Sequence, residues 1–368
     1  MKGNRDNHYM HLAIKEARKG LGYTSPNPCV GAVIVKNDMV IGKGYHKKAG
    51  TPHAEINAIR DASESVVDAT IYVTLEPCNH TGKTPPCSRA ILDFGFSRVV
   101  VGMSDPNPLV NGSGIQFLRS HGVEVLSGVL EEECEALNYP FIKHITQGIP
   151  WLIMKAGVSL DGRLNYQQGY CGWLTGEKSA TEVHKLRNQV DAILVGRKTV
   201  EIDNPSLTTR LKRKDSKDPI RIVLDSNLST SISSKIYHLD SHAPTWIICA
   251  ADAPKVKKDE FYNLGIRIIE IDRCGDGLDL RMLLSVLGKE NICSVLVEGG
   301  ASLHGTFLRE KLFDYAHLFY APIFAGDQGV SLINGYGVQS RSVAPRLDQV
   351  KHKRLGDDIL ISGRLSYR

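Results

Sequence analysis

His53-Ala54-Glu55, with Pro77-Cys78 and Pro86-Cys87 behind it, is the stretch on which the reading of this chain turns. It supplies one imidazole, two thiols and a carboxylate. A closed structural zinc site takes four protein ligands, whereas a hydrolytic one takes three and keeps a fourth position open. Three strong donors and a glutamate two residues from the histidine match the second kind, with His53, Cys78 and Cys87 as ligands and Glu55 free to carry protons. Local patterns account for the spacing. Residues 54–62 (AEINAIRDA) read as a helix with Ile56, Ile59 and the alanines on an apolar stripe, so His53 and Glu55 lie at its first turn. Residues 69–75 (ATIYVTL) read as a buried strand that Glu76-Pro77-Cys78 leaves, and Pro86-Cys87-Ser88 opens another helix with Gly95 behind it. Helix starts carry positive potential, which favours thiolate over thiol. A zinc ion held there lowers the pKa of its water from about 15.7 to about 7.

Cysteines are common in cores, and a polar side chain at a helix start often only caps it. A loop of Asn, His, Thr, Gly, Lys and Pro between Cys78 and Cys87 is a poor place for core packing, which favours the metal. Zinc nucleobase deaminases combine an H-x-E element, a P-C element and a glutamate that does not bind the metal. Their usual loop is P-C-x-x-C. Here eight residues separate the cysteines, so His80 stands as a rival third ligand or as a lining of the substrate pocket.

That longer loop, Leu75-Glu76-Pro77-Cys78-Asn79-His80-Thr81-Gly82-Lys83-Thr84-Pro85-Pro86-Cys87, resembles the deaminase domain of the bifunctional riboflavin-biosynthesis deaminase/reductases of bacteria. The match continues through Asn27-Pro28-Cys29-Val30-Gly31-Ala32-Val33-Ile34-Val35 and Asp105-Pro106-Asn107-Pro108. The resemblance implies zinc on His53, Cys78 and Cys87, a proton shuttle at Glu55, and Asn27 and Asn107 against the substrate.

At 368 residues the chain is long for one domain and comfortable for two. Hydrophobic content of 42% and charged content of 23% suit a globular protein, and no apolar run approaches the roughly 20 residues that span a bilayer. The N-terminus reads as an amphipathic helix, not a signal peptide. Eight dispersed cysteines form no disulfide framework, which points to a cytoplasmic protein. A net charge of +5 without a basic, aromatic-laced stripe argues against nucleic acid as a partner. The basic run Arg210-Leu211-Lys212-Arg213-Lys214 reads mainly as a solvated loop.

In the first half, strands are expected at residues 31–35, 39–44, 69–75, 98–103 and 124–126, with Lys36-Asn37-Asp38 turning the first two into a hairpin. Helices are expected at 8–19, 54–62, 88–94, 114–121 and 131–146. A sheet covered on both faces makes a three-layer α/β/α sandwich, and Gly148 and Pro150 mark its end. Domains are therefore set at 1–147 and 150–368. In the second half, strands are expected at 151–159, 192–196, 220–225, 245–249, 267–271, 294–298, 317–324 and 359–365, and helices at 177–188, 257–264, 279–288 and 303–310. The last two strands lack a comparable helix between them. An α/β sheet finishing in antiparallel strands resembles the dihydrofolate-reductase architecture, as the first half resembles cytidine deaminase.

Val297-Glu298-Gly299-Gly300-Ala301-Ser302-Leu303 runs from strand through a glycine turn into a helix, a geometry that suits phosphate. It is no G-x-G-x-x-G fingerprint, and two glycines after a strand are often a plain turn. Glu298 at the strand end sits where ligands collect in open α/β sheets. Segments at 155–162, 195–200 and 203–210 resemble the family's reductase domain. Carried over by position, the resemblance places NADPH against Gly157, Trp173, Thr199, Asp203, Ser226 and the run Gly300, Ala301, Ser302, Leu303, His304, Gly305 and Thr306. It places the substrate against Cys171, Arg187, Leu207, Arg210 and Glu298, with serine commoner in the family at Cys171. Arg187 and Arg210 suit a phosphate chemically, and Lys155 and Asp203 are candidates for positioning substrate or managing protons. No basic residue can be assigned to the adenosine 2′-phosphate from spacing. Cys29, Cys134, Cys249, Cys274 and Cys293 are expected to be packing residues.

The resulting expectation is a bifunctional enzyme acting on a phosphorylated pyrimidine, zinc-dependent in its first domain and NADPH-dependent in its second, assembled as a homo-oligomer. Two alternatives stand beside it. One is a cytidine, guanine or tRNA-adenosine deaminase with an unrelated second domain. The other is a zinc-stabilised regulator that binds NADPH without consuming it.

Overall fold

The computed structural model describes residues 2–79, 85–107, 111–213, 215–275 and 277–367. The chain divides into two compact units, Met1–Ile149 and Pro150–Arg368.

The first unit runs α1 (Lys2–Ala17), β1 (Gly31–Lys36), β2 (Met39–Tyr45), α2 (Ala54–Asp61), β3 (Thr70–Leu75), α3 (Cys87–Asp93), β4 (Arg98–Met103), α4 (Ser113–Ser120), β5 (Glu124–Ser127) and α5 (Glu131–Gln147). Its sheet has the order β2-β1-β3-β4-β5. Asn37 and Asp38 both take left-handed φ (50° and 60°) and close a two-residue hairpin loop in which Lys36 pairs with Met39. Strands buried on both faces read as continuous apolar runs, and alternate residues here serve opposite layers. Ala32, Ile34, Ile71, Val73, Val99 and Val101 pack with residues of α2, α3 and α4. Val33, Val35, Tyr72 and Val100 pack with residues of α1 and α5. The three-layer sandwich is the expected one.

Glycines in β2 let α2 lie against the sheet. A Cβ on Gly42 would stand 2.5 Å from the Ala58 carbonyl oxygen, and one on Gly44 only 2.3 Å from the Ala58 nitrogen and 2.4 Å from the Ala54 oxygen. This close approach fixes the start of the helix that carries His53 and Glu55.

The second unit runs β6 (Trp151–Val158), α6 (Glu177–Gln189), β7 (Ala192–Gly196), α7 (Arg197–Asp203), β8 (Ile220–Leu224), β9 (Thr245–Ala250), α8 (Lys255–Asn263), β10 (Arg267–Ile271), the short pair β11 (Arg273–Cys274) and β12 (Gly277–Leu278), α9 (Leu280–Lys289), β13 (Ser294–Val297), α10 (Ala301–Arg309), β14 (Tyr315–Tyr320), β15 (Arg346–Leu355) and β16 (Asp358–Ser366). Its large sheet has the order β10-β9-β8-β7-β13-β6-β14-β16-β15. It is parallel through β14 and antiparallel from β14 to β15. After laying down β7 to β10 outward, the chain returns to insert β13 between β7 and β6, a reversal whose carboxyl ends form a crevice.

Three departures from the sequence reading have physical causes. β15 is exposed along nearly its whole length and shows no apolar alternation to detect. α7 is short and buries only Val200. The expected strand at 317–324 stops at Tyr320.

Replacing Gly44 by alanine is expected to lower the stability of the first unit by about 1–3 kcal/mol, because a backbone contact must open. Denaturant unfolding checks this, and an unchanged midpoint would show that α2 is not seated by that contact.

Candidate functional site

β3 ends beneath the starts of α2 and α3, and this brings one cluster together. His53 is the N-cap of α2, Cys87 is the first residue of α3, and Cys78 follows β3. Their donor atoms lie within 4.8 Å of one another. His53 Nδ1 is 3.3 Å from Cys87 Sγ and 3.6 Å from Cys78 Sγ, and the Cys87 amide donates to Cys78 Sγ at 3.4 Å. The hydrogen bond from Cys87 pulls the Cys78 thiol down to about 4, and Cys87 is pushed up by the same bond. Two sulfurs this close become thiolates together only with a cation between them.

Glu55 is 3% exposed, and its Oε2 is buried without a hydrogen-bond partner among the described residues. Burial, and then the neighbouring Cys78, push it up to about 7. An imidazole and two thiols converging beside an unpartnered carboxyl oxygen fit zinc with an open position. His80 lies outside the described residues.

Two further residues shape this site, and neither stood out in the sequence. The His46 ring meets His53 edge-on at 5.5 Å, its Nδ1 bonds the Pro52 carbonyl at 3.3 Å, and its Nε2 faces Asn27 Nδ2 at 3.2 Å. An isolated histidine in a loop has no pattern to betray it. Glu76, 5% exposed, accepts from the backbone amides of Asp105, Gly112, Gly114 and Ile115 at 2.9–3.2 Å. It thereby ties the strand end that leads to Cys78 to the loop bearing Asn107 and to the start of α4. The signal was present: a carboxylate two residues before a ligand cysteine.

In the second unit a cavity of about 1250 Å³ opens over the carboxyl ends of β6, β13, β7 and β8. Lys155, Gly157, Cys171, Trp173, Arg187, Thr199, Asp203, Leu207, Arg210, Ser226, Glu298, Gly300, Ala301, Ser302, Leu303 and Thr306 all line it. Residues scattered over some 150 positions of sequence thus meet at one crevice. Cys274 lines it too and is exposed, which corrects its reading as a packing residue. Cys29, Cys134, Cys249 and Cys293 are buried.

His304 and Gly305, also expected as cofactor contacts, do not line the cavity. They occupy the opposite face of α10. His304 is fully buried, with Nδ1 bonded to the Leu332 carbonyl at 3.2 Å, and burial pushes it down to about 4. A Cβ on Gly305 would lie 1.8 Å from the Asn334 carbonyl oxygen, so glycine there serves packing.

An ion cluster holds the floor of the cavity. Arg187 Nε and Nη2 grip the two Glu298 carboxylate oxygens at 2.9 Å each, and Nη1 donates to the Thr208 carbonyl at 3.1 Å. Lys155 Nζ is 3.5 Å from Glu298 Oε2. The fork of Arg187 is thus spent on Glu298, and Arg210, exposed at the wall, is the freer cation for a phosphate. Burial would raise Glu298, yet Arg187 and Lys155 overcome it and hold the carboxyl down at about 2. Desolvation raises Asp203, opposed by a hydrogen bond from the Cys171 thiol.

Comparison with known proteins covers both units. Residues 3–103 match the family model of the cytidine and deoxycytidylate deaminase zinc-binding region, and residues 150–361 match that of the RibD C-terminal domain. The riboflavin biosynthesis protein RibD of Bacillus amyloliquefaciens is 41% identical over 358 residues, covering 97% of this chain and 95% of that protein. Its counterpart in Escherichia coli (strain K12) is 37% identical over 368 residues, covering 97% and 98%. Among solved structures, Acinetobacter baumannii RibD matches with a TM-score of 0.87 at 35% identity over 99% of each chain. The diaminohydroxyphosphoribosylaminopyrimidine deaminase/5-amino-6-(5-phosphoribosylamino)uracil reductase of Thermotoga maritima matches with a TM-score of 0.87 at 34% identity over 100% of each chain.

Glu298→Gln removes the counter-charge from a guanidinium that is 6% exposed, and is expected to destabilise the second unit by about 3 kcal/mol. The pH dependence has a definite sign. A carboxyl depressed from 4.5 to about 2 contributes stability fully above its unfolded value, and loses it as pH falls toward 2. Acid unfolding of the variant should therefore be flatter than that of the parent between those limits; parallel curves would contradict the assignment.

Proposed function

The chain belongs to the RibD family, the bifunctional deaminase/reductases of riboflavin biosynthesis, and from that premise we propose how its residues divide the two reactions. It is an enzyme that uses zinc and NADPH, built from a cytidine-deaminase-like unit and a dihydrofolate-reductase-like unit. No helix of the described residues is long and apolar enough to cross a membrane.

Residues 1–147 deaminate 2,5-diamino-6-ribosylamino-4(3H)-pyrimidinone 5′-phosphate hydrolytically. His53, Cys78 and Cys87 hold the zinc. When bound, it supplies a Lewis acid that makes water nucleophilic at neutral pH. Glu55 takes the proton from the attacking water and returns it to the departing amine, a task suited to a carboxyl whose burial raises it to about 7. Asn27, held by His46, and Asn107, on the loop anchored by Glu76, contact the substrate.

Residues 150–368 then reduce the ribosyl chain to ribityl. NADPH, when bound, supplies hydride for C1′ of the ribosylamino group in its open-chain imine form. Trp173, Gly157, Thr199, Ser226 and the cavity face of α10 hold the cofactor. Leu207, Arg210 and Cys171 contact the substrate. Lys155, held by Glu298, and Asp203 position it and manage the proton the imine nitrogen requires. We place the enzyme in the cytoplasm as a homo-oligomer without nucleic-acid partners; eight free cysteines fit a reducing compartment.

The observation that carries the deaminase reading is the unpartnered Glu55 oxygen beside three converging donors. Glu55→Gln should lower ammonia release by about 10²–10⁴-fold while metal content stays at that of the parent. Oxidation of NADPH by that variant with the deaminated pyrimidine, followed by absorbance, should continue at the parental rate. Retained deamination would remove the shuttle role, and failure to oxidise NADPH would remove the division of labour.

A further inference from the structure

α6 buries three polar side chains on one face, His184, Arg187 and Asn188, at the i, i+3 and i+4 spacing that aligns them. Polar groups buried along a helix cost stability unless they are bonded. Here the bonds converge on one loop, the connection from α7 to β8. Arg187 Nη1 donates to the Thr208 carbonyl at 3.1 Å, the Arg210 amide donates to His184 Nδ1 at 3.3 Å, and the Lys217 amide donates to Asn188 Oδ1 at 2.9 Å. Between the first two, the Thr209 amide donates to Asp218 Oδ1 at 2.7 Å. Three successive residues are thus held by side chains, directly after the buried Leu207.

Arg210 is the cation that this loop presents at the cavity wall. A long exposed side chain loses conformational freedom when it grips an anion, and a backbone already fixed beneath it reduces that loss. Of the four bonds, the one to His184 acts on the amide of Arg210 itself. His184 accepts it only while Nδ1 carries no proton. Burial, and then the Arg187 and Arg210 guanidiniums, push the ring down from its ordinary value, although Glu298 pulls the other way. The imidazole therefore stays a neutral acceptor. His184 is not among the residues that line the cavity.

We propose that His184 is a positioning residue for the reductase substrate: by holding the Arg210 amide it aims that guanidinium at the substrate's 5′-phosphate. The assignment rests on reading residues 150–368 as the reductase and Arg210 as a contact to its substrate.

The test is steady-state NADPH oxidation by the full chain with the deaminated pyrimidine, supplied as its 5′-phosphate and as the dephosphorylated compound. His184→Ala should raise KM for the phosphorylated substrate by about tenfold, with kcat and KM for NADPH within about twofold of the parent. KM for the dephosphorylated compound should not move. His184→Asn, whose Oδ1 can accept the same amide, should recover most of the affinity. His184→Gln, which displaces the acceptor, should show the selective loss and replaces alanine if that variant folds poorly. Arg210→Ala should show the loss as well, and adding His184→Ala to it should cost no more. Equal losses for both substrates, a fall in kcat, or additive losses in the double variant would overturn the assignment. An Arg210→Ala variant with parental KM would instead remove the phosphate from Arg210, and a parent that oxidises no NADPH would remove the reductase reading beneath both.

Discussion

The structure of the first unit depends on keeping two thiols and an imidazole within reach of one cation. That demand explains why β3 must end where α2 and α3 begin, with His53 capping one helix and Cys87 opening the other. It also explains the glycines of β2, since a helix even slightly lifted from the sheet would carry His53 and Glu55 away from Cys78. Glu76 extends the same constraint sideways by anchoring four backbone amides beside the strand end.

The second unit solves a different problem, stabilising buried charge next to an open cavity. Glu298 is tolerable only because Arg187 chelates it and Lys155 approaches its second oxygen. The cluster leaves one more cation than anion at the floor, a field suited to an anionic substrate.

Much of this was legible in the residues. The β1, β3 and β4 runs are mostly apolar on both alternating faces because both faces are covered, and the Asn37-Asp38 loop announces its hairpin. The H-A-E and P-C elements single out the three donors that converge in the structure, because metal chemistry restricts residue type. What stayed hidden had no local signature. β15 lacks a buried face, α7 is too short for a periodic stripe, and His46 is a lone histidine. That His304 and Gly305 fall on the buried face of α10 is not visible in a run of consecutive positions, because a helix has two faces.

X-ray absorption at the zinc edge on the purified full-length protein tests the central claim most directly. The account predicts two sulfur scatterers at about 2.3 Å and one imidazole nitrogen at about 2.0 Å, with a single additional light atom in the fourth position. Four sulfur or nitrogen ligands from the protein, or a spectrum without sulfur, would contradict it.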